Sequence, residues 1–261
     1  HYEQQHKNLY ETYWLKCNTY SSLTDKKTFE TDPICIEKKG NGGVFLWGDS
    51  HAESLSYGLR TLLKDHNIPF YQKTSAGCHA LLAETKRLEG TFKTACDHSN
   101  TVAIQSIEKL KPKIVIIAQA NDHDKVDWDT ITSKLLSLGV SEVILIGPVS
   151  QWKPSLPETM IKTQHWKTES KFISDINLDT NIIKIDQIMK GKEPIKHLNY
   201  ISLTDELCKL GPDKEYLCRV KPDNTNELIQ VDYGHLSKEG SLFIVNDIIK
   251  DHLLKLYDQA Q

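Results

Sequence analysis

Long apolar runs are missing from this sequence: none approaches the roughly 18 residues that cross a bilayer. A basic surplus is missing too. The 32 Lys and Arg stand against 35 Asp and Glu, for a net charge of -3, so no nucleic acid is expected as partner. No two cysteines stand at Cys-x-x-Cys spacing, which argues against zinc ribbons and thioredoxin-like redox sites. Gly40-Asn41-Gly42-Gly43 lacks the Lys-Ser/Thr of a phosphate-binding loop and reads as a turn before a strand. Asp122-His123-Asp124 are adjacent, and adjacent residues rarely converge on one ion, so no metal is expected there. Internal repeats and low-complexity linkers are absent. The polar start His1-Tyr2-Glu3-Gln4-Gln5-His6 has neither an initiator Met nor an apolar signal segment. That is the expectation for a mature secreted chain or a piece of a longer protein.

What is present is a globular balance: 261 residues, 39% hydrophobic and 26% charged, enough to bury a sizeable core. Residues 1–40 read as a polar, irregular extension packed on or linking to a single domain over 41–261. From Val44 a strand–helix rhythm sets in. Val44 to Trp47 is a buried strand bounded by glycines; Leu55, Leu59, Leu62 and Leu63 share a helical face; Phe70-Tyr71 is a short second strand. Ile104, Ile107 and Leu110 mark a helix ended before Pro112. Ile114 to Ala118 and Val143 to Ile146 read as central strands, with a helix through Trp128, Ile131, Leu135 and Leu138 between them. Asn181 to Ile185 reads as a weaker strand, and a last helix spans about Ser237 to Leu256. Such alternation predicts an α/β fold with a mainly parallel sheet. Residues 151–174 read as a helical or irregular insertion near the site, and 208–226 as a stapled loop.

Six cysteines fall in three local couples: Cys17 with Cys35, Cys78 with Cys96, and Cys208 with Cys218. An even number at loop-like positions points to disulfides and an oxidising compartment. Of fifteen possible pairings, the three sequential ones are favoured; six reduced thiols in a cytosolic chain is the alternative.

Ligands of open α/β sheets bind at the carboxyl ends of the strands, which directs attention to Gly48-Asp49-Ser50-His51, Gln119-Ala120-Asn121-Asp122, and Asp232-Tyr233-Gly234-His235. A serine at a strand-to-helix turn is exposed, and the helix amino terminus favours developing negative charge. Its hydroxyl needs a general base. His235 is the candidate base, and Asp232 can fix the imidazole tautomer. Taken singly, Ser50 could equally be a helix cap, and Asp232 and His235 a turn. Together, at matching sheet ends, they read as a serine acyl-transfer site.

These blocks resemble the first and last blocks of the SGNH hydrolase superfamily. Gly48-Asp49-Ser50-His51-Ala52 with His235-Leu236-Ser237 is similar to the SGNH domains fused to bacterial membrane acyltransferase-3 proteins, which O-acetylate surface polysaccharides such as the lipopolysaccharide O-antigen. The likeness runs from about Cys35 to Ser241 and includes Cys78 and the run from Tyr200 through Cys208 to Cys218. It implies an SGNH-type three-layer α/β/α sandwich. It also implies an oxyanion hole from the Ser50 N–H, Gly77 and Asn121, although Gln119 stands where many superfamily members carry glycine. A periplasmic location, tethered to the inner membrane in the parent protein, follows from the resemblance. So do an acyl donor delivered by the membrane acyltransferase-3 domain of the same parent chain, a saccharide acceptor, and no metal or organic cofactor. His51 is expected to pack or to orient substrate. Trp152, Trp166 and Tyr233 are candidates for stacking on sugar faces or for core packing. An extracytoplasmic carbohydrate esterase and a non-catalytic glycan-binding module remain alternatives. Intact Ser50, Asp232 and His235 speak against the second.

Overall fold

Nearly every apolar run becomes a strand. The computed structural model describes residues 9–167, 170–174, 176–223 and 225–260. Strands β1 (Val44–Gly48), β2 (Phe70–Thr74), β3 (Ile114–Ala118), β4 (Glu142–Ile146) and β6 (Leu198–Ile201) form one parallel sheet in the order β2-β1-β3-β4-β6. All residues of β1 and β3 are buried, which is why they read as continuous apolar runs rather than as alternation.

The period of two is still there, hidden in which layer each side chain meets. Val44, Leu46, Ile114, Ile116 and Ile144 pack with Leu59, Leu63, Val245, Ile249 and Leu253. Phe45, Trp47, Val115, Ile117, Val143 and Leu145 pack with Ala103, Ile107, Ile131 and Leu135. One helical layer is therefore α3 (Ser56–Asp65) with the C-terminal helix, and the other is α4 (Gly90–Leu110) with α5 (Trp128–Ser137). The result is a three-layer α/β/α sandwich. Each buried Val, Leu or Ile contributes about 1.5–3 kcal/mol, and a one-residue slip would exchange the two sets between layers.

Several elements differ from the sequence reading. Residues 181–185 are not a strand: they lie in a helix, α7 (Thr180–Lys190), started by Asp179, whose side chain accepts from Asn181 N. The buried positions Ile182, Ile183, Asp186 and Met189 carry a helical period that outweighs the β-branched run. The fifth strand is β6 instead. The segment before β1 is less irregular than its composition suggests. Residues 1–8 lie outside the described residues, but α1 (Thr19–Lys26) follows an Asn18 cap, and 3-10 turns occupy Leu15–Cys17 and Pro33–Cys35. Within 151–174, of which 168 and 169 are not described, α6 (Leu156–Lys162) is followed by β5 (Phe172–Ile173). β5 joins β7 (Cys208–Leu210) and β8 (Tyr216–Arg219) in a small antiparallel sheet. The helix after β1 is split at Leu55 into α2 (Ser50–Ser54) and α3, with α8 (Leu203–Leu207) later in the chain. The last helix comprises α9 (Lys238–Phe243), a π turn over Ile244–Ile249, and α10 (Lys250–Gln259).

The described cysteines form three disulfides, Cys17–Cys35, Cys78–Cys96 and Cys208–Cys218. The first staples the segment ahead of β1, the second ties the loop after β2 to α4, and the third joins directly opposed residues of β7 and β8.

Candidate active site

The site begins at Gly48, the last residue of β1. Its φ is +149°, and a Cβ there would stand 2.0 Å from the Ala118 carbonyl oxygen on β3, so only glycine fits. The chain then turns sharply into α2. Asp49, not Ser50, is the helix cap: its Oδ1 accepts from His51 N at 2.8 Å and its Oδ2 from Ala120 N at 2.9 Å. Because Asp49 does the capping, the Ser50 hydroxyl is left for another partner. That partner is His235, with Nε2 2.7 Å from Ser50 Oγ.

On the other side of the ring, His235 Nδ1 lies 2.6 Å from Asp232 Oδ2. A carboxylate only accepts, so Nδ1 carries the hydrogen and Nε2 is the acceptor for Ser50. Asp232 Oδ1 meanwhile accepts from Gly234 N at 3.0 Å and His235 N at 2.8 Å. Burial acts to lower the imidazole's affinity for a proton, but the hydrogen bond and charge of Asp232, helped by Asp49 and Glu53, hold it above the ordinary histidine value. For Asp232, burial acts upward, and His235 with the two backbone N–H groups overcomes it, keeping the carboxylate below its usual range. The loop is braced from three directions. Trp152 N donates to Tyr233 O at 2.8 Å, Leu156 N donates to Asp232 O at 3.1 Å, and the Tyr13 hydroxyl donates to Leu236 O at 2.7 Å.

His51 is buried, its ring 4.6 Å from that of His235 and its Nε2 3.1 Å from the Tyr233 hydroxyl. Burial, with His235 beside it, pushes its pKa well below the usual value. It is held neutral, so His235 can take a proton without a second cation against it. Below α2, the buried carboxyl of Glu53 accepts from Thr74 Oγ1 at 2.7 Å, and burial raises it from 4.5 to about 8. A raised folded-state value means that Glu53 supports stability below about pH 4.5 and loses that support as pH rises through about 8. Glu53→Gln is therefore expected to stabilise the fold more at pH 8 than at pH 5. Urea unfolding at both pH values measures this, and an equal effect at the two would contradict it.

Strand order sets the remaining groups around Ser50. β1 lies between β2 and β3, so the loops after those two strands flank the loop bearing Ser50. After β2, Ser75-Ala76-Gly77-Cys78 is a turn closed by Cys78 N to Ser75 O at 3.0 Å, with Gly77 at φ +66°. The Arg87 guanidinium donates to the Gly77 carbonyl. After β3, the loop bearing Asn121 is pinned by the Ala120–Asp49 bond, by Gln151 Nε2 to Ala120 O at 2.7 Å, and by Gln119 Nε2 to Asn121 O at 2.7 Å.

The sequence pattern described as "SGNH domain (fused to AT3 domains)" matches residues 16–250. The chain belongs to this family. No curated protein matches the chain. Among solved structures, the periplasmic domain of a lipopolysaccharide acetyltransferase from Salmonella ser. Paratyphi A is similar at 22% identity and a TM-score of 0.71, over 95% of this chain and 97% of that one. At that identity the likeness is one of fold.

The three aromatic candidates of this SGNH domain separate by position. Trp152 is fully buried, with Nε1 donating to Gln230 Oε1 at 2.9 Å; it is core, not a sugar platform. Trp166 is 59% exposed but lines a separate cleft with Met160, Ile161 and Leu228. Tyr233 is 36% exposed, its ring edge-on to His235 at 5.2 Å. Among the described residues no group of three His, Cys, Asp or Glu is placed to hold a metal. Sequence reasoning missed Asp49 as the bridge between the two loops, and Gln119 and Tyr13 as braces. The Asp of Gly-Asp-Ser was the available signal for the first; nothing local marks the other two.

Proposed function

We propose that this SGNH domain transfers an acyl group, acetyl being the natural choice, to a hydroxyl of a bacterial surface polysaccharide such as the lipopolysaccharide O-antigen, through an acyl-Ser50 intermediate. The observation that carries the reading is the unbroken chain Ser50 Oγ, His235 Nε2, His235 Nδ1, Asp232 at 2.7 and 2.6 Å. As Ser50 Oγ bonds to the acyl carbon, its proton passes to His235 Nε2, and Asp232 stabilises the imidazolium. The oxyanion is held by the Ser50 and Gly77 N–H groups and the Asn121 side chain. Collapse breaks the bond to the donor, whose leaving oxygen takes the proton from His235. The acceptor hydroxyl then gives its proton to His235 as its oxygen bonds to the acyl carbon. Departure of Ser50 with that proton leaves a new ester and the free enzyme.

Membership of a family fused to AT3 domains supports an acyl donor supplied by a membrane acyltransferase-3 domain of the parent chain. Three disulfides support an extracytoplasmic, periplasmic setting. In that arrangement residues 41–261 are the catalytic domain, and the preceding segment is an extension packed on it, with Tyr13 against the His235 loop.

The test is p-nitrophenyl acetate with acid quench and intact mass, then acetyl transfer to O-antigen oligosaccharide. An acetyl adduct on Ser50, absent in Ser50→Ala, followed by acetylated saccharide, is the expected result. An adduct released only to water would make the domain an esterase. Absence of any adduct and of any hydrolysis above background would overturn the reading.

A further inference from the structure

Beside Tyr233 a cleft of about 450 Å³ opens, within the size range of small-molecule sites. Its walls come from four places: Asn121 after β3, Gln151 and Lys153 after β4, Asp179 with Asn181 at the start of α7, and Tyr233 before α9. It is continuous with the triad loop, because Tyr233 is both a wall of the cleft and the edge-on neighbour of His235. Amides, carboxylates and one half-exposed aromatic ring suit a molecule with many hydroxyls and an apolar C–H face.

The charges are arranged in a particular way. Among the described residues the one cation lining the cleft, Lys153, is held by Asp179 at 2.7 Å; the lysine side chain is 74% exposed and the carboxylate 12%. Asp122, also on the wall, is paired at 2.6 Å with Lys125, which is not. Among the described residues a sugar carboxylate entering here meets two carboxylates and no unengaged cation, whereas a neutral sugar meets amides and carboxylates for its hydroxyls and Pro154, Ile182 and Ile185 for its C–H face.

We propose that this cleft is the acceptor subsite and that the Lys153–Asp179 pair makes it selective for neutral pyranosides over uronic acids. The proposal rests on the acyl-transfer reading for the word acceptor, but not for the binding itself. Asp179 also caps α7, accepting from Asn181 N at 3.1 Å, and Asn is as good a cap as Asp. Asp179→Asn therefore keeps the helix start and releases Lys153.

The experiment uses a matched pair, methyl galactoside and methyl galacturonide, which differ only at C6. Binding is read by saturation-transfer NMR. The partition of acetyl from p-nitrophenyl acetate between sugar and water is read in parallel. The wild-type chain is expected to bind the neutral glycoside and acetylate it, and to discriminate against the uronide. Asp179→Asn is expected to narrow that discrimination about fivefold or more, and Asn181→Ala to weaken the neutral glycoside and lower the sugar-to-water ratio. Equal binding of both sugars by the wild type, or unchanged selectivity in a folded Asp179→Asn variant, overturns the proposal. Should Asp179→Asn not fold, Lys153→Ala decides: the pair model predicts that the uronide gains nothing, and a gain there overturns it. Hydrolysis without any sugar effect sinks the cleft alone. Selective sugar binding without hydrolysis keeps the cleft and sinks the serine chemistry.

Discussion

His235→Gln is expected to lower turnover of p-nitrophenyl acetate by about 10⁴- to 10⁶-fold while leaving the fold intact. The lower figure corresponds to about 5.5 kcal/mol of transition-state stabilisation. Glutamine fills much of the imidazole's volume but cannot take the Ser50 proton, and a serine hydroxyl without a base is a poor nucleophile. The sign of the pH dependence follows from the same ring. His235 must be neutral to act, and Asp232 outweighs burial to hold its proton affinity above the ordinary value. Activity should therefore fall as pH drops through that raised value. In Asp232→Asn the raising partner is gone and burial is left, so the His235 titration moves to lower pH. NMR titration of the imidazole reads this even where rates are too low to follow. A loss smaller than about tenfold in His235→Gln, with the circular dichroism of the parent, would remove His235 from the chemistry.

Gly48→Ala is expected to destabilise the fold by about 3–5 kcal/mol, or to prevent soluble expression. Two independent penalties meet there: φ of +149°, and a Cβ 2.0 Å from the backbone oxygen of Ala118. The clashing atom belongs to the paired residue of the neighbouring central strand, so neither strand can yield without breaking the ladder. Gly90→Ala separates the two penalties. It has φ of +55° with nothing within 4 Å of the added carbon, so only conformational strain, on the order of 1 kcal/mol, is expected. Denaturant midpoints of both variants check this. Equal small losses would mean that the β1–β3 contact relaxes at little cost.

The central strands and the three chemical blocks were legible because fully buried strands write themselves as apolar runs, and sheet topology puts the following residues on one edge. β2 was read two residues long for a physical reason. Its second half, Gln72-Lys73-Thr74, is polar yet buried. It is satisfied from a distance by Ser56 Oγ to Gln72 Oε1 at 2.6 Å, Lys73 Nζ to Thr31 Oγ1 at 3.1 Å, and the Thr74–Glu53 bond. Such partners leave no local pattern. The same holds for Tyr13, whose hydroxyl meets the Leu236 carbonyl across most of the chain. At residues 181–185 the local pattern was present but ambiguous: five residues of strand-like composition carried a helical period visible only over the full length to Met189. Asp49 leaves no such mark either: its bond to Ala120 N joins residues 71 apart in sequence.

The Ser50–His235 contact joins residues 185 apart in sequence. Synthesis and export present a chain amino end first, so Ser50 emerges long before its base exists. Until α9 and the π turn after it close over α3 and His235 reaches Ser50, the hydroxyl is an ordinary unreactive alcohol. On the acyl-transfer reading proposed above, that order is a built-in safety catch: a half-made or partly unravelled chain lacks the base with which Ser50 would load itself with an acyl group. Acyl loading should accordingly track the intact population through a denaturation curve and vanish with it, with no partially competent species in between.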